Sequence, residues 1–130
     1  MRKRGVSLKY DELNDILNSY FPNLRELIAF EINKSECYKP GPHVLYAKIL
    51  NPYLKELLKT ENNQNALQQT FEFFEVLAKS EDKEVRNLLQ VTLLEALWDE
   101  KSTYEKSDKY MRPLTKQINR LIKHYLTEPM

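Results

Sequence analysis

Two glycines in 130 residues, Gly5 and Gly41, constrain this chain more than any other feature. A dinucleotide-binding turn or a phosphate loop needs several glycines close together, because the backbone itself must approach the phosphate. Two isolated glycines build neither. The same scarcity, with no Asn-Gly or Asp-Gly pair to turn a hairpin, argues against an all-β fold. What remains is a helical chain, and one all-α domain over residues 1–130 is expected. That length buries one core but not two substantial ones. With 42% hydrophobic and 30% charged residues the composition is that of a folded domain.

Helical punctuation runs along the whole chain. Ser7 is placed to cap a helix from about Leu8 to Tyr20, which Phe21-Pro22 stops. Leu24 to Ile32 reads as helix, although Phe30-Glu31-Ile32 would also suit a short strand. Residues 33–42 form a loop around Pro40-Gly41-Pro42. A short helix from His43 to Leu50 is followed at Asn51-Pro52 by a new helix or a sharp kink, running to about Lys59. Asn65 to Lys79 is long and buries Leu67, Phe71, Phe74 and Leu77 or Ala78. Ser80-Glu81-Asp82 then links it, with Asp82 as N-cap, to Lys83–Trp98. Two long helices with so short a link must pack antiparallel, so residues 65–98 read as a HEAT-like hairpin. The last helix ends near Thr127 and starts either at Tyr104, kinked at Pro113, or at Pro113 itself. The architecture expected is a bundle of five to seven helices.

Charge is polarised along the chain although its net value is only +1. Residues 72–108 carry 10 acids against 5 bases, and residues 109–130 carry 5 bases against one acid. An acidic face of Glu72, Glu75, Glu81, Asp82, Glu84, Asp99 and Glu100, extended by Glu105 and Asp108, would suit a basic partner; a merely solvated face is the plainer reading. Lys109, Arg112, Lys116, Arg120 and Lys123 form one basic stripe if the last helix is continuous, opposite Leu114, Ile118, Leu121, Ile122 and Tyr125. The stripe is either the wet side of an amphipathic helix or a phosphate-facing surface.

One acid stands apart. At about 100° per residue Glu95 falls within about 20° of Leu88, in the most apolar sector of its helix. A buried carboxylate must be paired or protonated. Glu95 is therefore expected to be a buried structural acid, most simply tying the end of a neighbouring helix. Catalytic and metal sites find no support: His43 and His124 have no ligand spacing, and Cys37 has no identifiable base. No cofactor is expected.

The run EFFEVLAKSEDKEVRNLLQVTLLEALWDE, followed by YMRPLTKQI, carries a resemblance. Its acidic turn at Asp82, Glu84 and Val85, its helix end at Leu94, Glu95 and Leu97, and its helix start at Arg112, Pro113 and Thr115 are similar to small all-helical bacterial proteins that are presumed immunity proteins of polymorphic toxin systems. The similarity covers about residues 71–118, and Arg112 stands where those proteins have a smaller glycine. It implies a non-enzymatic protein that binds a cognate toxin domain and neutralises it, the acidic segment covering a basic groove. A helical interaction adaptor or regulator is the alternative, and a nucleic-acid-binding module using the basic stripe is less favoured. The single Cys37 fits a reducing compartment and forbids an intrachain disulfide. There is no apolar run of about 18 residues, and the opening MRKRGVSLKYDEL has bases without an apolar segment behind them. A cytoplasmic chain with no membrane partner is expected.

Overall fold

A computed structural model describes residues 8–34 and 40–127, with side chains to residue 122. Ser7, Cys37 and the terminal basic residues lie outside the described part. Among the described residues there are seven helices and no strand. They are α1 (Leu13–Tyr20), entered through a 3-10 turn at Tyr10–Glu12; α2 (Arg25–Asn33), entered through Pro22–Leu24; α3 (residues 42–60); α4 (Gln64–Ala78); α5 (residues 83–97); α6 (Lys101–Asp108); and α7 (Pro113–Thr127). The ambiguous segment after Pro22 is helix, and no helix is long and apolar enough to cross a membrane.

Local chemistry sets most of these boundaries. The Asn63 side chain accepts the Ala66 amide at 3.1 Å and starts α4, and Asp82 accepts the Glu84 amide at 2.9 Å and starts α5. Proline opens α7 and α3, where a missing amide hydrogen costs no helical bond. α3 ends at Glu61, which takes a left-handed φ of 50°.

α4 and α5 form the hairpin, joined by residues 79–82, and their leucines and phenylalanines make a large part of the core. Leu67, Phe71, Phe74, Leu77 and Ala78 of α4 are buried as expected, and so is Phe73. Phe73 fills the space between α1 and α3, its ring 4.7 Å from Tyr20, 5.4 Å from Phe21 and 6.1 Å from Tyr46. The Tyr46 hydroxyl, buried with its ring, donates to the Leu13 carbonyl at 2.6 Å, which satisfies a polar group that burial would otherwise penalise.

Two helices depart from simple α-geometry, and this corrects two expectations. α3 is continuous through Asn51-Pro52: α-helical Pro42–Leu45 passes into a π-helical stretch, Tyr46–Leu50, and back to α-helix at Asn51–Thr60. Asn51 is no N-cap, since its backbone is helical at φ −59° and ψ −51°. The wider turn just ahead of Pro52 takes up the proline, whose ring would otherwise press on the preceding turn. α5 carries a longer π-helical stretch, Leu88–Leu94, where the buried pair Leu88 and Leu89 recurs five residues on as Leu93 and Leu94. Each residue of a π turn advances less than 100°, so phases counted in α-helical steps drift. Val91, which steps of about 100° from Leu88 would place near Glu95 in the apolar sector, is exposed. Glu95 is only half-buried and is not the buried structural acid expected of it.

Candidate functional site

The tie between a carboxylate and a helix end does exist, but Glu75 makes it. Glu75 lies on α4 and is 9% exposed. Its carboxylate accepts the backbone amides of Leu114 and Thr115 and the Thr115 hydroxyl, each at 3.0 Å. These are orphan donors of the first turn of α7, so a side chain from another helix performs the cap. Glu75 is thereby removed from the acidic face expected to meet a partner.

The other acids of that face do not form one surface. Glu72 pairs with Arg112 at 2.9 Å. Asp82 is spent on the Glu84 amide and on the Tyr10 amide, both at 2.9 Å, while the Ser80 hydroxyl donates to the Leu8 carbonyl at 2.7 Å. The acidic turn is thus stitched to the start of the fold. Glu81 and Glu84 remain exposed there; Asp99, paired with Lys55 at 3.8 Å, and exposed Glu100 lie at the far end of α5, about 20 Å away at 1.5 Å per residue.

The basic stripe is divided as well, because α6 and α7 are separate helices with Lys109 and Arg112 in the turn between them. Arg112 is held by Glu72. Lys109 meets Glu61 at 3.0 Å, beside Lys106 at 3.7 Å and the Tyr110 hydroxyl at 2.8 Å. Hydrogen bonds from Lys109 and Tyr110 hold the Glu61 carboxyl below its ordinary value, and the same contact raises the Lys109 ammonium above its own. Lys123 lies on α7, its side chain outside the described part.

Lys116 and Arg120 are left, and they line a cleft of about 440 Å³ between α6 and α7. Its aromatic wall is Trp98, just past the end of α5, stacked on Tyr104 with ring centroids 4.4 Å apart and planes at 15°. The Trp98 indole donates to Asn119 Oδ1 at 3.0 Å. An indole N–H only donates, so this bond fixes the amide's orientation. Asn119 is 8% exposed, yet it lines the cleft, and its Nδ2 has no partner among the described residues. Glu105 and Asp108, three residues apart on one face of α6, stand with Lys116 and Arg120, four apart on α7, in the lining of the same cleft. None of the four is in an ion pair among the described residues. The cleft therefore combines an aromatic surface, an oriented amide donor and charges of both signs.

Trp98, Tyr104 and Asn119 were not candidates on sequence grounds. The available signal was the chain's single tryptophan directly after a leucine-rich helix, followed six residues on by a tyrosine.

A second polar locus joins residues flanking the π-helical stretch of α3 to Thr92 in that of α5. Asn51 donates to the Thr92 carbonyl at 2.9 Å, and His43 Nδ1 contacts the Thr92 hydroxyl beneath the Tyr10 ring, 5.8 Å away. Desolvation raises the Tyr10 hydroxyl above its ordinary value. The contacts tie the two ends of the widened stretch of α3 to the widened stretch of α5.

A family model described as "Domain of unknown function (DUF7674)" matches residues 13–126, from the first residue of α1 to the last turn of α7. No curated protein and no solved structure matches the chain.

Proposed function

Since the chain belongs to the DUF7674 family, we propose that it is a non-enzymatic binding protein whose recognition surface is the cleft between α6 and α7. One observation carries the reading: four charges of both signs, without ion-pair partners among the described residues, surround a stacked Trp98–Tyr104 pair. Elsewhere Glu61, Glu72, Glu75 and Asp82 are already committed to the fold. A protein partner suits such a cleft better than nucleic acid. A phosphate brought to Lys116 and Arg120 would lie close to Glu105 and Asp108, and counterion release rewards basic surfaces rather than mixed ones.

The partner we favour is a bacterial toxin domain, neutralised by direct binding, which the similarity over residues 71–118 supports. A helical adaptor or regulator would use the same cleft without a toxin. Co-expression separates them. If a toxin-like protein is encoded beside its gene, producing the chain with it should restore growth, and Lys116→Glu/Arg120→Glu should abolish the rescue. Failure of the unaltered chain to protect removes the immunity reading.

A further inference from the structure

We propose that the cleft between α6 and α7 receives an arginine side chain from an extended segment of the partner, with an acidic group of that segment on Lys116 and Arg120. The inference rests on the binding reading above and deepens it.

Three features select an arginine. A guanidinium is planar, is weakly hydrated and stacks on aromatic rings, so the Trp98–Tyr104 pair offers it and its aliphatic stem an apolar surface. Glu105 and Asp108 stand in the same cleft as carboxylates without ion-pair partners among the described residues, the groups that a guanidinium fork meets in charge-assisted pairs. The third is Asn119. Its Oδ1 is committed to the Trp98 indole, so the amide presents Nδ2 as a donor from a position 8% exposed. The natural acceptor in a segment lying across the cleft is a backbone carbonyl, which fixes the depth at which the arginine enters. Lys116 and Arg120 would repel an isolated cationic ligand, and they make a neighbouring acid part of the requirement. An arginine followed by an acid satisfies both walls at once. A nucleotide could stack on Trp98 but would bring its phosphate toward Glu105 and Asp108.

Trp98 is the only tryptophan in the chain, so its emission reports on the cleft directly. The full chain is titrated with acetyl-Gly-Arg-Glu-Gly-amide, with the same peptide carrying Gln in place of Arg, and with adenosine monophosphate. The arginine peptide should shift Trp98 emission saturably and bind about tenfold more tightly than the glutamine peptide, the scale of one charge-assisted pair. Glu105→Gln/Asp108→Asn should abolish that preference, and Glu84→Gln, at the other end of α5, should preserve it. No saturable change, equal affinity for the two peptides, or tighter binding of adenosine monophosphate overturns the proposal. The same variants tested on an intact protein partner separate the two readings. If Glu105→Gln/Asp108→Asn leaves that complex intact while Lys116→Glu/Arg120→Glu breaks it, the cleft binds a protein and the arginine assignment is wrong.

Discussion

Glu75 accepts three hydrogen bonds from the first turn of α7. Truncating it leaves the buried Thr115 amide and the half-buried Leu114 amide without acceptors, so Glu75→Ala should cost about 2–3 kcal/mol in urea unfolding. Glu75→Gln, which keeps a neutral acceptor, should cost about half as much. Equal stability of all three proteins would show that α7 does not depend on this cap. Glu61 makes a different test, because its backbone is left-handed and its side chain is gripped. Glycine occupies that conformation without the Cβ clash that alanine meets, so Glu61→Gly should unfold at a higher temperature than Glu61→Ala. The pair it forms with Lys109 also sets a pH window. Glu61 is depressed below its ordinary 4.5, so its contribution is present above that pH and disappears as acid carries it through its folded value. Lys109 is raised above 10.5, so its share is present below that pH and is lost in stronger base. The stability difference between the unaltered chain and Glu61→Gln should therefore be widest between these limits, vanish in acid, and appear in thermal melts across pH.

At the scale of elements, the π-helical stretches decide which side chains reach the core. In α5 the buried leucines fall in pairs five residues apart, and Val91 is left outside. Val91→Ala should change stability by less than about 1 kcal/mol, whereas Leu93→Ala should cost about 2–5 kcal/mol. A larger loss at Val91 than at Leu93 would mean that α5 keeps ordinary α-helical phase. Asn51→Ala removes the donor to the Thr92 carbonyl that joins the widened stretches, and a loss of about 1–2 kcal/mol is expected in the same measurement. These elements also show where sequence reasoning succeeds. Asp82 before α5 carries its chemistry locally and was legible, while Pro113 was one of two starts considered for α7. A π turn has no comparable residue signature. Counting at 100° therefore turned Glu95 inward and missed that Glu75, one hairpin arm earlier, performs the capping role assigned to it.

For the whole molecule, part of the charge polarised along the sequence joins helices to one another. Glu72 of the acidic segment meets Arg112, and Glu61, ahead of that segment, meets Lys109. The cleft gathers charges of both signs that enter no ion pair among the described residues. It was hidden in the sequence because it needs Trp98, Asn119 and the break between α6 and α7 together, and no short window contains all three. The most direct test is calorimetric titration of a toxin domain from which the unaltered chain protects growth, with the unaltered chain and with Lys116→Glu/Arg120→Glu, both confirmed as folded by circular dichroism. The unaltered chain should bind and the variant should bind at least about a hundredfold more weakly, as for a desolvated charged anchor. Unchanged affinity in the variant would contradict the placement of the recognition surface in this cleft.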